Sequence, residues 1–197
     1  MSQNPKPLLV LDLDNTLIYC SEKPYREAQM TTAHGHLSIR DHLDTFLRAV
    51  SDHYHLMVWS NGGLTYVRET LEIVWPDDVP LKAVIPNSVS QLKVQNGYGI
   101  PFYKNMKKLL KLYPEYELNR IVGVDDLAET YQNNYGNLVV VSEFVGQADD
   151  DLLKLKDYLI ALSALPNFRD VEKRYWRSGQ PPRAKRSITA PTQVPTP

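Results

Sequence analysis

The feature that most constrains the fold is an unbroken apolar run that ends in two carboxylates. Residues 8–11 are Leu-Leu-Val-Leu, Asp12 follows directly, and Asp14 lies two positions further on. An apolar run without alternation is typical of a strand buried on both faces of a parallel sheet. Open α/β sheets bind their ligands at the carboxyl ends of such strands. Because Asp12 and Asp14 have the same phase in extended backbone, we expect them to line one crevice at that edge.

The spacing of these two carboxylates has an electrostatic cost. Two like charges about 4 Å apart repel each other by roughly 4 kcal/mol at an effective dielectric constant near 20. A shared proton or a bound hard cation such as Mg²⁺ usually offsets this repulsion. The motif therefore indicates either a proton-sharing pair or a metal site.

The rest of the chain alternates between buried strand patterns and amphipathic helix patterns. Apolar residues at positions 43, 46, 47 and 50 recur at helical spacing and predict a helix that begins near Asp41. This alternation favours a mostly parallel sheet with helices on both faces, which is a three-layer Rossmann-like α/β fold. The predicted strands cover residues 8–11, 55–59, 120–124 and 138–141, with a short strand near 37–40, and the further predicted helices cover residues 64–74, 105–113 and 149–162.

Two segments have no place in this alternation. Residues 19–35 are polar and show no clear periodicity. Residues 76–103 contain two short β-prone pieces, 83–85 and 91–94, and an Asn96-Gly97 pair that is typical of a hairpin turn. We expect this second segment to form a small β-hairpin flap and no large cap domain. Such a flap leaves the crevice open to a large substrate.

Length and composition favour one domain followed by a tail. With 197 residues, of which 43% are hydrophobic, the chain can bury the core of one domain, which we assign to residues 1–178. Residues 179–197 contain five prolines and no apolar periodicity, so we expect a disordered tail. Residues 169–197 carry seven basic and two acidic residues. This basic end either steers an anionic partner or is simply solvated.

Cysteine usage and hydropathy bear on the compartment. The single cysteine, Cys20, excludes an intramolecular disulfide and favours a reducing compartment. Residues 1–6 are polar, and no apolar run of about 18 residues is present. We expect a soluble protein of the cytoplasm or nucleus.

Four motifs in a fixed order resemble one enzyme superfamily. They are Asp-x-Asp-x-Thr at residues 12–16, a strand end at Ser60, Tyr-Lys-Asn at residues 103–105, and Asp125-Asp126. This order is similar to the haloacid dehalogenase (HAD) superfamily of phosphotransferases, and within it to the FCP/SCP group, which dephosphorylates the C-terminal domain of RNA polymerase. The resemblance extends loosely over residues 7–164. It implies a Mg²⁺-dependent phosphomonoester hydrolase that acts through an aspartyl-phosphate.

The resemblance and the chemistry together assign roles to individual residues. Asp12 is the expected nucleophile, and Asp14 is the expected general acid and base. Mg²⁺ is expected on Asp12, on the main-chain carbonyl of Asp14 and on either Asp125 or Asp126. The residues expected to bind the non-bridging phosphate oxygens are Thr16, Ser60, Asn61 and Lys104.

Each of these residues also has a purely structural interpretation. Lysines at positions 104, 107, 108 and 111 form one stripe, as an exposed helix face would. Thr16 can cap the next segment, and Ser60 can begin a turn and a helix. Asp126 and Glu129 fit a capping box, although a capping residue can also bind a metal ion. The Asp-x-Asp pair can be a turn, or the metal clip of a nucleotide-sugar transferase.

Two further motifs carry less weight. Cys20 and Arg26 have the Cys-x5-Arg spacing of cysteine-dependent phosphatases. The loop between them lacks glycine and contains a proline, so it offers few amides to a phosphate. The pairs His34/His36 and His53/His55 have a spacing suited to a metal ion but no third convergent ligand. We interpret both motifs as structural.

The sequence leaves three functions open. A protein phosphatase that acts on phosphoserine or phosphothreonine is favoured, because the lack of a large cap suits a macromolecular substrate. A phosphatase of nucleic-acid ends, 3′ or 5′, is the second reading and is supported by the basic tail. The third is a binding module that uses the fold without catalysis, and the two intact carboxylates argue against it. The fold alone cannot decide among them.

Overall fold

The computed structural model describes residues 6–86, 94–95, 98–99 and 103–185. The helices are α1 (Leu43–Ser51), α2 (Leu64–Val74), α3 (Met106–Leu112) and α4 (Asp151–Ser163). The strands are β1 (Leu8–Leu11), β2 (Ile18–Ser21), β3 (Met30–Thr32), β4 (Gly35–Ile39), β5 (His55–Trp59), β6 (Leu81–Ile85), β7 (Val94–Gln95), β8 (Tyr98–Gly99), β9 (Ile121–Asp125), β10 (Leu138–Val140), β11 (Val171–Glu172) and β12 (Arg183–Ala184).

Five of these strands form a parallel sheet in the order β10-β9-β1-β5-β6. Strand β1 lies at its centre, where Leu8 pairs with His55 on one side and with Ile121 on the other. All four residues of β1 are fully buried, as the apolar run predicts. Because the strands are parallel, their carboxyl ends meet at one edge of the sheet.

Helices cover both faces of this sheet, so the predicted three-layer architecture is confirmed. Leu9 and Leu11 pack in one apolar cluster with residues of α1, α2 and α4, whereas Leu8 and Val10 pack in a second cluster with residues of α3. Successive residues of a strand point to opposite faces. Asp12 continues the phase of Leu8 and Val10 and is therefore directed towards the α3 side of the sheet.

A second, antiparallel sheet follows the loop after β1 and was only partly predicted. Its strand order is β2-β4-β3, whereas the sequence predicted a single short strand near residues 37–40. The strands were missed because β3 is mostly exposed, so it carries no apolar alternation. Gly35 has a φ of 136°, and a Cβ there would lie 2.5 Å from the carbonyl oxygen of Ser21. Glycine is therefore required where β4 begins.

Part of the expected hairpin flap is represented by β7 and β8, which pair antiparallel. The β-prone piece at residues 83–85, which the sequence assigned to this flap, instead lies in β6, the edge strand of the central parallel sheet. The predicted turn at Asn96-Gly97 lies outside the described residues. Helix α2 ends at Val74, because the residue before a proline disfavours helical backbone angles and Trp75 precedes Pro76.

No helix in the described part of the chain is long and apolar enough to cross a membrane.

The C-terminal segment packs further than the sequence suggests. Strand β12 pairs antiparallel with β11, and the amide of Lys185 donates to the carbonyl of Asp170 at 2.6 Å. The expected disorder from residue 179 therefore does not extend to these residues. Residues 186–197 lie outside the described part.

Candidate active site

The predicted strand ends meet around one cavity at the carboxyl edge of the sheet. Its volume is about 400 Å³. The loop after β1 supplies Asp12 and Asp14, and the end of β9 supplies Asp125 and Asp126. The residues that line it and matter below are Asp12, Asp14, Asn61, Tyr66, Asp125 and Asp126.

Lys104, just before α3, is fully buried between two carboxylates. Its Nζ lies 2.6 Å from Oδ1 of Asp12 and 2.6 Å from Oδ2 of Asp125. Burial alone would lower the pKa of this ammonium, but the two carboxylates outweigh burial and raise it. Lys104 therefore stays charged between Asp12 and Asp125, which line the cavity. The alternative of an exposed lysine stripe is wrong at this position, although Lys107 and Lys111 are exposed.

Asp12 has a partner at each carboxylate oxygen. Lys104 contacts Oδ1, and the buried hydroxyl of Thr16 donates to Oδ2 at 3.1 Å. Burial raises the pKa of Asp12 to about 7; Lys104 opposes this shift and the nearby Asp125 adds to it. The one lysine therefore leaves negative charge at this site incompletely balanced.

Thr16 connects the two acidic motifs. Its Oγ1 accepts a hydrogen bond from the amide of Asp126 at 3.2 Å and lies 3.2 Å from Oδ1 of the same residue. Asn15, just before it, adopts a left-handed conformation with a φ of 58°. This turn brings the threonine hydroxyl back over the end of β1. Thr16 therefore bridges Asp12 and Asp126 and does more than cap a segment.

Asp125 and Asp126 have different environments. Asp125 is buried, and its Oδ2 is contacted by Lys104 and, at 3.0 Å, by the hydroxyl of Thr130, while its Oδ1 accepts from the amide of Leu127 at 2.9 Å. Asp126 is only half-buried and lines the cavity. Burial, and then the charge of Asp125, raise the pKa of Asp126. Asp126 is therefore the more available ligand of the two.

Asp14 is held by two hydroxyl groups. Ser60 donates to Oδ2 at 3.3 Å, and Tyr66 of helix α2 donates to Oδ1. Burial raises the pKa of Asp14, and the two hydroxyl donors partly oppose that shift. Ser60 itself is fully buried and also accepts from the amide of Gly62 at 2.9 Å. In this arrangement Ser60 supports Asp14, and Asn61 lines the cavity.

One group of carboxylates is suited to a metal ion. One oxygen from each of Asp12, Asp125 and Asp126 lies within 4.8 Å of the others, and the described residues contain no further group of this kind. Carboxylate oxygens are the ligands that Mg²⁺ prefers. Three carboxylates meet here and the buried Lys104 ammonium contacts two of them, Asp12 and Asp125, while burial raises the pKa of Asp12. A divalent cation would therefore fit the charge of this site.

Several residues of the site have no signal in the sequence patterns. Thr130 contacts Asp125, and its main-chain carbonyl accepts from the amide of Lys104 at 2.7 Å. Tyr66 contacts Asp14 from an amphipathic helix, where an aromatic side chain is ordinarily a core residue. Arg40 reaches the carbonyl of Thr16 from the end of β4. All three depend on contacts between distant segments.

The weaker motifs add no metal or phosphate ligand to the site, although the ring of His34 packs against Tyr66 with 5.1 Å between the ring centroids. Burial raises the pKa of the Cys20 thiol, which is opposite to the shift that a thiolate nucleophile needs, and Arg26 is exposed. His34 contacts Glu69 with a distance of 2.5 Å between Nε2 and Oε2, and Nδ1 of His55 contacts the hydroxyl of Tyr116 at 2.8 Å. Neither motif forms a metal or phosphate site in the described residues.

Comparisons with known proteins agree with this geometry. The family model described as NLI interacting factor-like phosphatase matches residues 7–172. A ubiquitin-like domain-containing CTD phosphatase of Arabidopsis thaliana is 26% identical over 192 residues, which cover 92% of this chain and 54% of that protein. The mitochondrial import inner membrane translocase subunit TIM50 of Phytophthora infestans is 27% identical over 172 residues, which cover 84% of this chain and 37% of that protein.

The fold also has a solved counterpart. The structure of the fission yeast RNA polymerase II CTD phosphatase Fcp1 with bound beryllium fluoride superimposes with a TM-score of 0.53 at 20% identity, covering 73% of this chain and 44% of that one. This likeness supports the α/β fold described above. The chain spans about half the length of the first curated relative and about a third of the second.

Proposed function

The chain belongs to the NLI interacting factor-like phosphatases, and from this premise we propose that it hydrolyses phosphomonoesters through an aspartyl-phosphate on Asp12. Family membership agrees with the FCP/SCP resemblance of the four motifs. The observation that carries the proposal is the buried Lys104 ammonium, 2.6 Å from both Asp12 and Asp125, two of the carboxylates that line the cavity. Such a cation holds the carboxylate in place and favours the charge of a phosphoryl group.

In the first step of the proposed reaction, an oxygen of Asp12 attacks the phosphorus of the ester. The bond between phosphorus and the ester oxygen breaks, and the leaving oxygen takes a proton from Asp14. This role suits Asp14 because burial raises the pKa of its carboxyl group, so a protonated form is accessible. Lys104 and the hydroxyl of Thr16 stabilise charge on the non-bridging oxygens. The products are an alcohol and the aspartyl-phosphate of Asp12.

In the second step, water attacks the phosphorus of this aspartyl-phosphate. Asp14, now a carboxylate, accepts the proton of the water as the bond between phosphorus and Asp12 breaks. Inorganic phosphate leaves, and Asp12 and Asp14 return to their starting states. Ser60 and Tyr66 keep the Asp14 side chain in place through both steps.

We propose Asp12, Asp126 and the main-chain carbonyl of Asp14 as the residues that hold Mg²⁺. Asp125 is the weaker candidate, because it is 1% exposed and accepts from three donors, whereas Asp126 is half-buried. Bound Mg²⁺ would offset the repulsion between the carboxylates and an incoming phosphate. Asp125 instead fixes Lys104.

For the substrate we propose a phosphoserine or phosphothreonine in a protein, in the cytoplasm or nucleus. Support comes from the names of the relatives, several of which are called CTD phosphatases, and from the small flap. The basic C-terminal segment favours a nucleic-acid end phosphate as the second candidate. The TIM50 relative, named as a translocase subunit, favours a third, non-catalytic binding role.

Hydrolysis of p-nitrophenyl phosphate tests the reaction. We expect turnover with Mg²⁺ that is lost with EDTA and with Asp12→Asn. Two matched variants, Cys20→Ser and Asp77→Asn at an exposed aspartate, should keep it. Loss of turnover in Cys20→Ser would instead favour the cysteine mechanism, and a lack of turnover in the unaltered protein would favour the binding role.

A comparison of substrates then tests the substrate class. Phosphoserine and phosphothreonine peptides are measured against oligonucleotides that carry a 3′ or a 5′ phosphate. We expect a higher kcat/KM for the peptides. Preference for an oligonucleotide end would overturn the protein-phosphatase reading while leaving the aspartyl-phosphate chemistry intact.

A further inference from the structure

Two cavities outside the active site lie beside the C-terminal strands. One of them runs along the edge strand β10 and the two-stranded sheet β11–β12. Its volume is about 680 Å³, compared with about 400 Å³ for the active-site cavity. We call it the basic groove. The lining residues used below are Tyr135, Val140, Lys173, Arg174, Arg177 and Lys185.

The groove has more positive charge than its own acidic groups balance. Its acidic residue Glu172 is bound by Arg174, at 2.9 Å from Nε and 2.7 Å from NH2. Arg177 pairs with Asp151 at 2.7 Å. Lys185, however, donates to the main-chain carbonyl of Arg169 at 2.9 Å, and within the described ranges no carboxylate lies within 4.0 Å of its Nζ. Lys185 is therefore a cation at the rim with no ion-pair partner there.

Lys173 adds a second cation that forms no ion pair within 4.0 Å in the described residues, although the charges of Glu172 and Asp170 also act on it. It is buried, and its Nζ donates to the carbonyls of Gly136 at 2.8 Å, of Val171 at 3.1 Å and of Phe168. These carbonyls satisfy its hydrogen bonds but do not neutralise its charge. Burial, and then the charge of Lys185, lower the pKa of Lys173 to about 8. The groove therefore has a positive potential that an anionic group would relieve.

The apolar lining favours a peptide over a nucleic-acid backbone. Tyr135 is 56% exposed and Val140 is 43% exposed, and both line the groove beside its cations. Adding the peptide as a further strand is blocked at Val140, because its carbonyl already accepts from Nε1 of Trp176 at 2.8 Å. The side chains of a partner would therefore make the contacts. Residues 186–197 of this chain contain one arginine and no acidic residue, so their charge does not match the groove.

One end of the groove lies next to the active site. Val140 pairs with Asp125 in the register of β10 and β9, and the amide of Val141 donates to the carbonyl of Asp125 at 3.0 Å. Neighbouring strands are about 4.8 Å apart, and residues 138–141 extend for roughly 13 Å along β10. A segment that flanks a phosphorylated residue in the cavity can therefore reach the groove.

We propose that the basic groove binds an acidic segment of the phosphoprotein substrate, next to the phosphorylated residue. This inference rests on the proposed function. It defines the substrate further, as a phosphoserine or phosphothreonine flanked by aspartate or glutamate.

The test measures the hydrolysis of two phosphopeptides, one with acidic flanks and one with neutral flanks. The unaltered protein is compared with the variant Lys185→Glu. For the acidic peptide at low salt we expect KM to rise about fivefold with kcat unchanged, since a charge at the edge of an interface mainly affects association. For the neutral peptide and p-nitrophenyl phosphate we expect no change. The control variant Lys6→Glu makes the same change in net charge at a residue that precedes β1. It should alter the hydrolysis of neither peptide. Added salt should reduce the difference between the peptides in the unaltered protein.

A binding measurement separates failure of this inference from failure of the proposed function. Fluorescence anisotropy of an unphosphorylated acidic peptide needs no catalysis, and we expect tighter binding to the unaltered protein and to Lys6→Glu than to Lys185→Glu. Equal binding of the peptide to all three proteins would contradict the proposal that the basic groove binds an acidic segment. A second outcome would also contradict the inference. If the acidic peptide does not bind, but a single-stranded oligonucleotide binds and Lys185→Glu weakens that binding, the basic groove is a nucleic-acid site. Absence of hydrolysis alone would overturn the proposed function only.

Discussion

The guanidinium of Arg40 donates a hydrogen bond to the main-chain carbonyl of Thr16, with 2.9 Å between NH1 and the oxygen. Arg40 is 1% exposed, and its remaining donors contact Asp149 at 3.0 Å and Asp151 at 3.1 Å. Thr16 in turn contacts Asp12 and Asp126. The buried arginine thus supports the loop after β1 and ties that loop to helix α4.

We predict that Arg40→Gln lowers the free energy of unfolding by about 3 kcal/mol, because Asp149 loses its ion pair and the buried carbonyl of Thr16 loses a donor, while Asp151 keeps Arg177. Urea denaturation measures this change. Arg48→Gln is the matched control, since Arg48 pairs with Asp44 and Asp78 on an exposed surface and should have little effect. Equal losses in the two variants would contradict the role of Arg40.

The central sheet could be predicted because its signals are local. Residues 8–11 and 55–59 are continuous apolar runs, and the structure places strands at these residues. The sheet of β2, β4 and β3 could not be predicted in the same way. Residues 30–32 are mostly exposed, so their pairing with β4 leaves no apolar pattern in the sequence.

The site shows the same division between local and long-range information. Asp12, Lys104 and Asp125 belong to motifs that the sequence identifies, and they meet in the structure. Arg40 contacts residues 109 and 111 positions away, and Tyr66, in the first turn of α2, contacts Asp14 across 52 positions. Contacts of this length depend on how elements pack, which no spacing rule encodes.

Asp125 and Asp126 should respond differently to loss of charge. We predict that Asp126→Asn raises the Mg²⁺ concentration needed for half-maximal activity by about tenfold or more, because Asp126 faces the cavity. Asp125→Asn should instead lower kcat and the free energy of unfolding, since Lys104 loses one of its two carboxylates. Calorimetric titration of Mg²⁺ into each variant provides a readout besides activity. The reverse pattern would make Asp125 the metal ligand.

Tyr66 should act through Asp14, and substrates with different leaving groups test this role. Alkyl phosphates need protonation of the leaving oxygen, whereas p-nitrophenolate leaves without it. We predict that Tyr66→Phe lowers kcat/KM for a phosphoserine peptide by about tenfold, as expected when a hydrogen bond to a charged group is lost. Activity on p-nitrophenyl phosphate should change little.

A double-mutant cycle provides the control for Tyr66. In an Asp14→Asn background the further change Tyr66→Phe should have little additional effect, because the two residues act as one unit. Tyr116→Phe, which removes a tyrosine hydroxyl that contacts His55 away from the cavity and the basic groove, should leave both substrates unaffected. If Tyr66→Phe lowers both activities equally, the tyrosine only packs against the cavity wall.

The raised pKa of Asp12 predicts how stability depends on pH once metal ions are removed. Burial raises this pKa from 3.8 to about 7, so between these values the folded protein binds the proton more strongly than the unfolded chain does. The contribution of Asp12 to the free energy of unfolding is therefore fully present below the unfolded pKa and is lost as pH rises towards the folded value. Urea denaturation in EDTA across this range should show a steeper decline for the unaltered protein than for Asp12→Asn. Added Mg²⁺ should reduce the decline, because a cation favours the ionised carboxylate, and parallel curves for the two proteins would show that Asp12 titrates normally.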